Sequence, residues 1–161
     1  MSHDLAQLQE RSFAGGNAAV RSSLAAERRL TGEEIARFLD EHRFATVATT
    51  RPDGRPHAAM SSYLRSETTF WLPTMAGTAR VRNVAARPWL CMVVAEGEDD
   101  EHVAVTLEGP AEVVSLEAAP AGLIDRMRDP SWVRCWLRLT PERLFSYAAP
   151  GAALVRRRAA N

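Results

Sequence analysis

From Phe44 to Thr50 the chain alternates β-branched and small residues, as a half-buried strand does. Pro52-Asp53-Gly54 follows, supplying a fixed φ, a side chain that caps a turn and a residue free to take φ > 0. A hairpin is predicted, with a return strand from Arg55 to Leu64 that stops at the polar turn Arg65-Ser66-Glu67. Thr68 to Leu72, β-branched and aromatic, reads as a third strand and completes a meander. After Pro73 the pattern breaks at Thr74-Met75-Ala76-Gly77-Thr78. Thr78 is placed to N-cap a helix from Ala79 to Ala86 that Pro88 terminates.

The remaining periodicities extend the sheet. Trp89 to Val94 is almost continuously apolar, which predicts a strand covered on both faces, with a second copy of the chain as the natural outer cover. Strands are also predicted over His102–Val114, with Gly109-Pro110 marking a bulge or an edge, over Trp132–Leu139 and over Arg143–Tyr147. Leu116 to Met127 reads as a helix despite Pro120. Upstream, Thr31-Gly32-Glu33-Glu34 is a capping box opening a helix to about His42, with Ile35, Phe38 and Leu39 on the face that would plug a barrel. The expected fold is mainly β with short helices (α+β), an antiparallel barrel of six or seven strands. Residues 1–30 read as an N-terminal arm interrupted at Gly15-Gly16, 31–148 as the barrel domain and 149–161 as a C-terminal tail.

Charge and composition narrow the partners. Twenty basic residues balance twenty acidic ones, so no global field recruits nucleic acid or an anionic membrane. Every basic residue is arginine, which excludes a Walker-type lysine and a pyridoxal Schiff base. No apolar run nears the roughly 18 residues of a membrane span, and no signal-peptide core is evident, so a cytoplasmic protein is expected. Cys91 and Cys135 form no CxxC motif and read as buried thiols. His3, His42, His57 and His102 lack metal-ligand spacing, so no metal is expected. The acidic run Glu96–Glu101 reads as a solvated hairpin loop, Arg156-Arg157-Arg158 as solvated tail, and the four tryptophans as core or interface.

The helix at Ala79 carries the chemistry. A helix N-terminus presents unpaired N–H groups and the positive end of its dipole, so the hydroxyls of Thr74 and Thr78 with the guanidinium of Arg80 suit a phosphate. By themselves these residues describe either such a site or an ordinary capped surface helix.

Three longer stretches are more specific: Ala-Thr-Val-Ala-Thr-x-x-Pro-Asp-Gly-Arg-Pro-His at 45–57, Phe-Trp-Leu-Pro-Thr-Met-Ala-Gly-Thr-Ala-Arg-Val-Arg-Asn at 70–83, and Leu-Glu-Gly-Pro-Ala-Glu-Val-Val at 107–114. In these the chain resembles the pyridoxamine 5′-phosphate oxidase-like family of FMN- and F420-binding proteins over roughly Thr31 to Tyr147. The resemblance implies a dimeric, Greek-key split β-barrel that binds F420 or FMN. It places His57, Ala58, Ala59, Met60, Ser61 and Ser62 along the ring of the cofactor, and Thr74, Thr78, Ala79, Arg80, Arg82 and Asn83 around its phosphate. Arg80 stands where the family usually has lysine, and Ala79 where the true oxidases have arginine. Arg51, Arg55, Arg80, Arg82 and Arg87 suit either a groove for the anionic F420 tail or solvated surface. Those oxidases continue into a segment bearing substrate-binding arginine and histidine, whereas this chain ends soon after Tyr147, so vitamin B6 oxidation is not expected.

Two functions share such a pocket. One is an oxidoreductase passing hydride from reduced flavin or F420 to a small electrophilic acceptor, the cofactor doing the chemistry and no side chain acting as nucleophile. The other is a protein that binds or sequesters the cofactor without turnover. His57, on the flanking strand, reads as a hydrogen-bonding or a proton-transfer group.

Overall fold

The structure is a computed structural model that describes residues 2–153; the Arg156–Arg158 run expected to be solvated lies outside them. Among the described residues there are four α-helices and eight strands. The helices are α1 (Ser2–Ala14), α2 (Ala18–Ser23), α3 (Gly32–Glu41) and α4 (Ala79–Ala86). The strands are β1 (Phe44–Thr50), β2 (Pro56–Ser62), β3 (Leu64–Ser66), β4 (Thr69–Thr74), β5 (Trp89–Glu96), β6 (Val103–Val114), β7 (Cys135–Leu139) and β8 (Arg143–Ala148). The strand order is β2-β1-β5-β6-β7-β4-β3, and β8 pairs with β6. Contacts divide the chain into two compact units, one of residues 2–42, 93–107 and 142–153, the other of residues 43–92 and 108–141.

In the second unit, β1 and β2 pair antiparallel from Phe44↔Ser62 to Thr50↔Pro56. Their turn forms as its residues dictate. The Arg51 amide donates to the Arg55 carbonyl at 2.9 Å, the Gly54 amide to the Arg51 carbonyl at 2.9 Å, and Gly54 takes φ 88°, which a side chain would oppose. Asp53 accepts from the Arg55 amide at 3.1 Å and pairs with its guanidinium at 2.7 Å, which holds the Asp53 carboxyl below its usual value. β4 pairs antiparallel with β3 and β7, and β7 with the end of β6.

Eight strands replace the six or seven expected because the predicted return strand breaks at Tyr63 into β2 and β3. The helix expected over Leu116–Met127 does not form. Pro120 lacks the amide that a helix interior uses and forces its predecessor out of the helical region, and Ala119 is extended at φ −74°, ψ 150°. Two short 3₁₀ turns, Leu116–Ala118 and Ile124–Arg126, take its place. Leu123 is buried with Leu64, Trp71 and Trp136, and Leu116, Ile124 and Met127 pack against that cluster. Likewise β7 begins at Cys135 rather than Trp132, since residues before it turn: the Val133 amide bonds the Pro130 carbonyl at 3.0 Å and the Ser131 amide bonds the Asp129 carboxylate at 3.0 Å.

Continuous apolar sequence on β5 gives alternating burial. Leu90, Met92 and Val94 are buried, Cys91 and Val93 half-buried and Trp89 exposed, so within the chain only one face is fully covered. Both cysteines are half-buried rather than buried. Desolvation raises both thiols, and Glu108 adds to the effect at Cys91.

In the first unit, α1 packs on α3 and β8 through buried Leu5, Leu8 and Phe13. Phe13 meets Phe145 edge-on at 5.1 Å, and the Arg29 guanidinium lies 3.6 Å from the centre of the Phe13 ring. A buried polar network secures the docking. Gln9 donates to the Leu30 carbonyl at 2.8 Å, Ser146 donates to Gln9, and Ser146 accepts from the Leu30 amide at 2.9 Å. Ser12 accepts from the Leu144 amide at 2.8 Å, satisfying a backbone donor of β8.

The capping box at α3 is complete: Thr31 accepts from the Glu34 amide at 3.2 Å and Glu34 accepts from the Thr31 amide at 2.7 Å. Thr31→Ala is expected to lower stability by about 0.5–2 kcal/mol in urea unfolding, with an unchanged denaturant slope. No helix among the described residues is long and apolar enough to cross a membrane.

Candidate functional site

All the candidate residues fall in the second unit, on β2, the end of β4 and α4. β2 ends the strand order, so one of its edges carries no neighbouring strand. Alternation puts Ala58 and Met60 on an exposed face, Met60 at 64% exposure, while His57 and Ala59 are half-buried and Ser61 is buried.

Gly77, at φ 74°, turns the chain from β4 into α4. Thr78 occupies the N-cap position in extended conformation, yet its side chain caps no helix amide. Its hydroxyl instead meets that of fully buried Thr74 at 3.3 Å. The first turn of α4 thus offers donors that no capping side chain uses, beside two hydroxyls. Arg80 is half-buried in that turn, and its one long contact is a 3.4 Å donation to the Met60 carbonyl. Burial lowers its guanidinium below the ordinary value, yet arginine keeps its charge. The structure therefore brings Thr74, Thr78, Ala79, Arg80 and the Met60 segment of β2 together.

Other candidates serve the scaffold. Arg82 donates to the Gly77 carbonyl at 2.5 Å, closing the loop before α4. Asn83 turns inward and donates to Thr49 at 2.9 Å. Thr49, buried on β1, also lies 3.5 Å from Nδ1 of His57, so β1, β2 and α4 meet in a short polar chain. Thr49 carried no signal in the sequence beyond its inward register. Arg87 donates to the carbonyls of Arg51 and Pro52, each at 3.1 Å, and so clamps the β1–β2 turn. With Arg55 paired to Asp53, three of the five arginines of the supposed groove, Arg55, Arg82 and Arg87, already have close protein partners. Arg51 and Arg82 line a depression of about 270 Å³ with Pro52, Asp53 and Asn83.

A second cleft, of about 290 Å³, opens where Ser62 and Pro73 approach from β2 and β4. Phe44, Tyr63 and Trp132 line it, with Arg43, Arg126 and Arg128.

Comparison with known proteins bears on the fold. The family model described as pyridoxamine 5′-phosphate oxidase matches residues 31–149. No curated protein matches. Among solved structures, a conserved hypothetical protein of Mycobacterium tuberculosis is 26% identical, with a TM-score of 0.65 over 78% of this chain and 89% of that one. An FAD-binding protein of Mesorhizobium loti is 18% identical, with a TM-score of 0.61 over 76% and 97%. The haem storage protein HutZ of Vibrio cholerae is 19% identical, with a TM-score of 0.57 over 76% and 96%. The expected split-barrel fold is thus the fold of this chain.

Proposed function

This chain belongs to the pyridoxamine 5′-phosphate oxidase family, and from that premise we propose that it is a flavin- or F420-dependent oxidoreductase transferring hydride to a small electrophilic acceptor. The observation that carries the reading is the first turn of α4, whose amides no side chain caps, with the Thr74 and Thr78 hydroxyls and a half-buried, cationic Arg80 around it. That donor set fits a phosphate group in charge. An FAD-binding protein with the same fold supports a flavin as the group bound.

On this reading Thr78, Arg80 and the α4 amides hold the phosphate. The exposed face of β2 at Ala58 and Met60 would receive the ring system, the Met60 carbonyl lying 3.4 Å from the Arg80 guanidinium that would hold the phosphate. When bound, the cofactor would supply the hydride, and the chain would orient it. His57, held toward Thr49, serves as a hydrogen-bonding group rather than a required acid, and His57→Asn is expected to change turnover by less than about tenfold. Both FMN and F420 match the phosphate site, and the Arg51–Arg82 depression favours the longer anionic tail of F420.

A homodimer with two equivalent sites completes the proposal, because Phe44, Met60 and Trp89 leave large apolar side chains in water. Light scattering at micromolar concentration is expected to give twice the 17.7 kDa chain mass.

The test titrates purified protein with FMN and F420 and then follows oxidation of the reduced cofactor by quinone- and enone-like acceptors. Binding with acceleration supports the oxidoreductase. Binding without acceleration across the panel favours the second reading, a cofactor-binding or sequestering protein, to which the haem storage protein of the same fold gives some support. No binding of either cofactor defeats both.

A further inference from the structure

The cleft between Ser62 and Pro73 is walled by chemistry that the phosphate site does not use. Aromatic side chains Phe44, Tyr63 and Trp132 line it, Phe44 and Trp132 exposed at 60% and 37%. Three guanidiniums, Arg43, Arg126 and Arg128, share it with one carboxylate, Asp129. That carboxylate is engaged, accepting from the Ser131 amide at 3.0 Å, and Arg126 donates to the Arg65 carbonyl at 2.9 Å. Among the described residues the guanidiniums of Arg43 and Arg128 make no hydrogen bond or ion pair, Arg43 bonding only through its carbonyl to the Tyr63 amide at 3.2 Å, which leaves two cations at an aromatic opening.

The wall bearing Arg128 is held by packing and hydrogen bonds within the chain. Met127 packs on the Leu64, Trp71, Leu123 and Trp136 cluster. Arg134 ties the following turn to β4 through its amide, 2.9 Å from the Thr74 carbonyl, and its guanidinium reaches the Ser131 carbonyl at 2.7 Å. A preformed cleft with flat apolar walls and two unengaged guanidiniums selects a planar ring for its faces and a carboxylate for its charge.

We propose that this cleft binds a planar aromatic carboxylate. Its place as the electron acceptor rests on the oxidoreductase reading above; the ligand class rests on the cleft alone. At about 290 Å³ the space holds a one- or two-ring molecule.

The experiment measures calorimetric binding of 2-naphthoate and its neutral amide to the cofactor-free full chain. Naphthoate is expected to bind at least about tenfold more tightly than the amide. The double variant Arg43→Gln/Arg128→Gln, both exposed positions, should remove that advantage and leave amide binding unchanged, and Trp132→Ala should weaken both ligands. Equal affinity for acid and amide, or a double variant that binds naphthoate like the parent, overturns the proposal. Repeating the titration with FMN bound separates the two readings. Naphthoate binding that persists beside FMN supports a distinct acceptor cleft, whereas competition assigns the cleft to the flavin ring and overturns it. Naphthoate binding in a protein that takes up neither FMN nor F420 sustains the cleft and removes the oxidoreductase reading.

Discussion

Replacing Arg80 by alanine is expected to weaken FMN or F420 binding by roughly 1.5–3 kcal/mol, about one to two decades in Kd. The expectation follows from where the guanidinium sits. It is half-buried beside amides that no side chain caps, so a phosphate there gains a charge-assisted bond in a setting where water competes poorly. Folding stability should scarcely change, because the long 3.4 Å contact with the Met60 carbonyl contributes little to the native state. Arg80→Lys restores charge without the planar fork and is expected to recover most of the affinity. Fluorescence titration of parent and variants gives the values. Unchanged affinity in Arg80→Ala would show that the phosphate is held elsewhere.

The largest effect on stability is expected at Leu5, which is fully buried in α1. Leu5→Ala should cost about 2–5 kcal/mol, the range for deleting a buried leucine whose surroundings cannot collapse into the gap. Collapse is hindered here because α1 is held by directional bonds as well as by contact. Gln9, Ser146 and Leu30 form one network and Ser12 bonds the Leu144 amide, so the helix cannot slide to refill a cavity. Urea unfolding at constant slope measures the cost. A loss below about 0.5 kcal/mol would mean that α1 contributes little to the cooperative unit.

Local chemistry decided the elements that sequence alone makes visible. The Pro52-Asp53-Gly54 turn, the Thr31–Glu34 capping box and α4 between Thr78 and Pro88 each follow from residues within a few positions of one another. Their energetics are short-ranged, so the sequence carries them whole. The same holds for the donor residues of the candidate site, since Thr74, Thr78 and Arg80 follow one another closely from the end of β4 into the first turn of α4. The 3₁₀ turns that replace the Leu116–Met127 helix sit at the limit of this logic. Periodicity favoured a helix, Pro120 opposed it, and burial against Trp71 and Trp136 settled the matter.

Long-range packing decided the rest. Nothing near Asn83 or His57 in sequence points to Thr49, because their meeting depends on how α4 packs against β1 and how β1 registers with β2. Arg87 looks like a free cation until the β1–β2 turn, some 35 residues earlier, is folded beneath it. The aromatic and cationic cleft draws its walls from Phe44, Tyr63 and Trp132, which only the paired strands and the turn before β7 bring into reach. The sequence by itself determined the β1–β2 turn and the α3 capping box, because each is an interaction between near neighbours, and it carries the proposed phosphate donors within one short stretch. The tertiary structure decided which arginines are already engaged, which tryptophans are buried and where the aromatic cleft opens, because those outcomes depend on contacts between residues far apart along the chain.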